Sequence, residues 1–154
     1  MPGLDFSRVI QILSLAAIPG VLAITLHEVA HGWTARMLGD QTAYAAGRLS
    51  LNPLKHVDPI GTVALPIAML LVQGPIFGWA KPVPVAFGRL HNPRRDMILV
   101  AIAGPGSNLL MALIWAVVAA AELSVLHISG PAGQWLLGVC NYGIKINVIL
   151  AVFN

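Results

Sequence analysis

Apolar positions in this chain come in long runs rather than alternating with polar ones, and the lengths of the runs set the predicted elements. Val9 to Leu26 holds no charged residue, and the apolar pattern continues to about Leu38, interrupted by Pro19-Gly20. A proline inside a helix removes a backbone hydrogen bond, so a kink is expected there. Gly39-Asp40 reads as the stop. Asn92-Pro93-Arg94-Arg95-Asp96 precedes a second run, Met97 to Ala121, and a third extends from about Gln134 to Asn154. Helices of roughly 20 apolar residues cross a bilayer, so these are three predicted spans. Ile60 to Val72 is too short for that. With Pro66 inside it, such a helix reaches roughly 20 Å against roughly 30 Å of hydrocarbon. A re-entrant or oblique helix is predicted, with irregular or short extended chain over Tyr44 to Pro59 and a loop over Glu122 to Gly133.

Composition agrees with the pattern. The 154 residues are 57% hydrophobic and 10% charged, with mean hydropathy +0.80, whereas soluble domains carry roughly 25% charged residues. The fold class expected is an all-α polytopic membrane protein forming a single domain, with a short extended or β segment beside the membrane. The start resembles a signal peptide, but its apolar pattern continues past Gly20, so an uncleaved first span is expected. A lone cysteine, Cys140, excludes an intrachain disulfide and a thiolate zinc cage. The net charge of +3 is not gathered into a nucleic-acid surface, and no Walker or dinucleotide glycine pattern occurs. Arg36, Arg48, Lys55, Lys81, Arg89, Arg94 and Arg95 all lie between the first span and Met97. The positive-inside rule then places residues 36 to 96 in the cytoplasm, which requires Ile60 to Val72 to enter and return. The rival is a full crossing that leaves four of those charges outside.

Against this apolar background stands His27-Glu28-Val29-Ala30-His31. Residues four apart on a helix lie one turn apart and roughly 40° apart in azimuth, so both imidazoles can converge on one ion with Glu28 beside it. Such patterns also occur by chance, and a buried histidine is commonly just a hydrogen-bonded core residue. The membrane setting favours the metal, because ionisable groups in lipid are expensive. A catalytic zinc takes three protein ligands and a water. The pattern therefore implies one zinc held by His27 and His31, and a zinc-activated water deprotonated by Glu28 to cleave a peptide bond.

The chain resembles the site-2 protease family of intramembrane zinc metalloproteases, in particular its compact bacterial branch. The resemblance rests on His27 to Gly32, on Leu51-Asn52-Pro53-Leu54-Lys55-His56-Val57-Asp58-Pro59-Ile60-Gly61-Thr62, on Gly78-Trp79-Ala80-Lys81-Pro82-Val83-Pro84-Val85 and on Ala103-Gly104-Pro105-Gly106-Ser107-Asn108. It implies zinc ligation by His27 and His31, catalysis by Glu28, and membrane-anchored protein substrates in the bacterial inner membrane, with the site toward the cytoplasm. The family's third ligand is an Asp in an N-x-x-P-x-x-x-x-D-G pattern. Val152-Phe153-Asn154 looks like its beginning, so the chain is expected to lack a C-terminal part, and Asn154 would help hold substrate or the oxyanion.

Trp79, Lys81, Val83 and Val85 form a candidate substrate strand, since an extended edge can pair with an unwound substrate. The plainer reading is a loop broken by prolines. Asp58 and His56 could ligate metal, though a polar turn at Asp58-Pro59 explains them better. Asn108 suits an interhelical hydrogen bond and Lys145 a snorkelling position. The competing functions are a membrane metal-binding or transport protein using His27, Glu28, His31, His56 and Asp58, and a catalytically incomplete fragment. Oligomeric state is not legible.

Overall fold

The computed structural model describes residues 6–72, 74 and 78–153. Helix α1 spans Phe6–Met37 and stays helical through Pro19. Gly39, at φ +107, ends it. A left-handed residue there lets the Asp40 amide reach back to the Ala35 carbonyl at 2.9 Å, which satisfies one of the orphan acceptors of the last turn. The short helix α2 follows at Thr42–Ala45, then a 3-10 turn at Pro53–Lys55 capped by the Asn52 side chain.

Asp58 accepts hydrogen bonds from the Ile60 and Gly61 amides and so caps a π-turn at Pro59–Ala64 that runs into α3, Leu65–Leu71. The polar-turn reading of Asp58 is the one realised. The irregular or short extended chain expected over residues 44–59 is irregular over 46–52 and 56–58, and short helical turns interrupt it where Asn52 caps Pro53–Lys55 and Asp58 caps the turn from Pro59. Helix α4, Pro93–Ala121, continues as a π-turn over Glu122–Leu126. The loop expected over Glu122 to Gly133 therefore shrinks to four residues before α5, Pro131–Phe153. Three helical stretches, Ile10–Met37, Pro93–Leu126 and Pro131–Phe153, are long and apolar enough to cross a membrane, and Pro59–Met69 is a shorter apolar helix. The protein is an all-α polytopic membrane protein. Among the described residues no strand forms, and 78–86 belong to no regular element.

The helices gather into two compact units. One comprises α1 up to Ala23 together with α4 from Pro105 and α5. There the Trp115 ring lies on Gly143 and Leu15 on Gly138, so absent side chains let the helices approach. Asn108 Nδ2 donates to Asn147 Oδ1 at 2.8 Å and to the Ala23 carbonyl at 3.3 Å, all buried. That is the interhelical bond expected of Asn108. Lys145 is exposed on α5.

The second unit runs from Ile24 to Gly104. It holds the H-E-x-x-H end of α1, the polar connections, α3 and the first turns of α4. Its core packs Ala35, Leu90 and Val100 with Leu38 and Val85, so the irregular segment is clamped between the ends of α1 and α4.

Candidate metal centre

Helical spacing puts His27 and His31 on one face of α1, and their Nε2 atoms lie 3.0 Å apart. The rings meet edge to face with centroids 4.6 Å apart. Zinc–imidazole bonds are about 2.0–2.1 Å, so nitrogens this close can share one ion. His31 Nδ1 lies 2.7 Å from the Val100 carbonyl. A carbonyl can only accept, so Nδ1 carries the proton and the Nε2 lone pair is left for a cation. His27 is 5% exposed.

Helix α4 closes the other side through Gly104. A Cβ at that position would sit 2.6 Å from His31 Cε1 and 2.7 Å from His27 Cε1, and closer still to His31 Nε2. Only a residue with no side chain lets the α4 backbone lie against both imidazoles. Among the described residues no third His, Cys, Asp or Glu joins the pair. Asn154, the proposed oxyanion or substrate residue, lies outside the described residues.

Glu28 is half-buried, and its Oε2 accepts the Val83 amide at 2.7 Å. This bond brings the 79–86 segment beside the histidines. The amides of Trp79, Lys81 and Val83 all turn inward, to the Gly61 carbonyl, the His56 carbonyl and Glu28 respectively. Val83 is buried, and the Trp79 indole lies over Gly61, whereas Lys81 is exposed. Three of the four candidate strand residues, Trp79, Lys81 and Val83, thus spend their amides on the protein itself. The intervening positions are Ala80, Pro82 and Pro84, two of which have no N–H to donate.

His56 is fully buried, with Nε2 on the Ser50 carbonyl at 2.8 Å, and its backbone carbonyl holds Lys81. It serves the packing of this segment and is not among the metal-facing groups.

Asp40, read from the sequence only as part of a helix stop, also holds the 83–86 segment. Fully buried, it accepts the Thr42 amide at 2.9 Å and the Ala86 amide at 2.6 Å, so it pins the far end of the segment that Glu28 pins at Val83. The Asp40-Gln41-Thr42 spelling of an Asx turn was the available signal. Burial pushes the Asp40 carboxyl up, but bonds from the Thr42 hydroxyl and amide and from Ala86, with the Arg89 charge, hold it below the ordinary value. A lowered carboxyl stabilises the fold above its unfolded pKa of about 3.9, and that stability is lost as pH falls through the lower folded value. Asp40→Asn is expected to cost about 1–3 kcal/mol at neutral pH and to weaken the acid-side loss. Thermal unfolding of both proteins from pH 7 down to 3 measures it; equal midpoints throughout would show that Asp40 does not hold the segment.

Sequence comparison points the same way. The chain is 38% identical over 142 residues to YwhC of Bacillus subtilis, covering 87% of this chain and 58% of the relative. It is 32% identical over 95 residues to Rip2 of Mycolicibacterium smegmatis, covering 61% of this chain and 35% of the relative. Rip2 of Mycobacterium tuberculosis matches to the same extent. All three carry names that provisionally assign them as zinc metalloproteases. The chain spans 58% or less of the length of these relatives. No family model and no solved structure matches. With 38% identity running along most of its length, the chain belongs to the site-2 protease family, to which its motifs point.

Proposed function

We propose that this chain carries the metal-binding part of an intramembrane zinc metalloendopeptidase that hydrolyses membrane-anchored proteins in a bacterial inner membrane, from the cytoplasmic side. The observation that carries the reading is the pair of imidazole nitrogens 3.0 Å apart on a membrane-length helix, with the Glu28 carboxylate on the same turn. His27 and His31 are two of the ligands of a single zinc. When bound, the ion supplies Lewis acidity, polarising a scissile carbonyl and acidifying water.

The chain's own residues do the rest. Val100 orients His31 through Nδ1, and the Val83 amide holds Oε2 of Glu28 so that Oε1 is left to take a proton from water and pass it to the departing amine. Substrate enters as unwound chain along the outer side of 79–86. With the amides of Trp79, Lys81 and Val83 engaged inward and prolines at 82 and 84, that side has few N–H groups to give, so substrate N–H groups would do the donating, to carbonyls other than those of Lys81 and Pro82 that Arg48 already holds. The prolines also prevent two copies of the segment from pairing. Lys81 and Trp79 would flank the bound segment with their side chains.

The test is cleavage of a membrane-anchored reporter by the protein purified as its gene encodes it. Zinc at one equivalent per chain, cleavage stopped by a chelator and restored by zinc are expected. Cleavage that persists without metal would refute the reading, and zinc flux into liposomes without any cleavage would favour a transporter instead.

A further inference from the structure

Later in the chain than the metal-facing histidines lies a second feature, of which the proposed proteolysis uses only Lys81 at its edge. A cavity of about 460 Å³ is lined by Arg48, Lys55 and Lys81 together with Leu54, Val57 and the Ala46-Gly47 turn. Arg48 builds it. Its guanidinium donates to the Lys55 carbonyl through one nitrogen and to the Lys81 carbonyl at 2.7 Å through the other, which ties two distant stretches of chain together. The side chains of Lys55 and Lys81 are thereby brought to one cavity. Lys55 Nζ spends one donor on the Gly47 carbonyl at 3.2 Å, and Lys81 is exposed. No carboxylate pairs with the three cations among the described residues.

Three like charges gathered without a counter-ion repel one another, so an anion that enters is favoured by all three at once. What surrounds the cavity says which anion. Leu54 is 77% exposed and Leu51 68%, and the adjoining short apolar helix exposes Ile60, Val63 and Ile67. Exposed leucines beside lysines make a surface that seats at the headgroup level of a bilayer, apolar groups toward the acyl chains and ammonium groups at the phosphates.

We infer that the Arg48–Lys55–Lys81 cavity binds the phosphate of an anionic phospholipid headgroup. The site stands on membrane residence alone and not on the protease reading, so either can fail without the other. Lys81 lies two residues from Val83, whose amide holds Glu28, so a lipid seated here steadies the same segment that lines the metal centre.

Binding is measured on the purified protein in uncharged detergent, titrated separately with short-chain phosphatidylglycerol, phosphatidylcholine of equal chain length, inorganic phosphate and an acidic peptide. Phosphatidylglycerol is expected to bind at least about tenfold more tightly than the others, with Lys55→Gln and Lys81→Gln each weakening it about fivefold. The double Lys→Arg variant keeps the charge and is expected to keep binding. Equal affinity for phosphatidylcholine, inorganic phosphate as tight as the lipid, or a preference for the peptide would each overturn the assignment.

Discussion

Gly104→Ala is expected to weaken zinc binding by about 10–100-fold, and hydrolysis with it, although it adds a single methyl group. The new Cβ would lie 2.6 Å from His31 Cε1 and 2.7 Å from His27 Cε1. The His31 ring cannot simply swing aside, because it is tied through Nδ1 to the Val100 carbonyl of the same α4 that brings the methyl group in. Either α4 retreats and takes Val100 with it, or the imidazoles diverge. Loss of such an orienting partner typically costs about 10–100-fold in metal affinity, and about 1 Å of misplacement costs on the order of 100-fold in rate. Gly106→Ala, two residues on, is the matched control. A Cβ there meets nothing within 4 Å, and alanine in a helix interior is favoured over glycine by about 1 kcal/mol. Zinc content and melting temperature of the two variants decide the matter: normal zinc in Gly104→Ala would show that the imidazoles do not need the bare backbone.

Glu28→Gln is expected to separate binding from chemistry. The side-chain carbonyl oxygen of the substituted glutamine can still accept the Val83 N–H that Glu28 Oε2 now accepts at 2.7 Å, so the 79–86 segment and the zinc content should stay as they are. What disappears is the proton acceptor, worth about 100- to 10,000-fold. Cleavage at the unmodified rate would remove Glu28 from the mechanism. Loss of zinc along with activity would instead make its role one of holding the site together.

Much of this was legible from residue order. Hydrophobic run length located the three long helices because crossing hydrocarbon demands about 20 apolar residues whatever the rest of the fold does. Gly39-Asp40 was readable as a helix end because a left-handed residue is nearly a glycine prerogative. The H-E-x-x-H spacing declared a shared helix face, since the α-helical repeat alone sets it. Less legible were the connections. Short helical turns interrupt the irregular or extended chain expected over 44–59, because a side-chain cap such as Asn52 or Asp58 can start a turn in a stretch with no hydrophobic period, and the expected 122–133 loop is shortened where α4 runs on through 126.

Sequence by itself therefore determined the membrane class, the helix that bears His27, Glu28 and His31, and the glycine-rich run on the later helix. These follow from composition and from periods of a few residues, which are local physics. Only the tertiary structure decided what faces those side chains: Gly104 against both imidazoles, the Val100 carbonyl on His31, the Val83 amide on Glu28, and Asp40 holding Ala86. Each of these joins residues 46 to 77 positions apart, and no local propensity specifies such a pairing, because it exists only once long-range packing has closed the intervening chain.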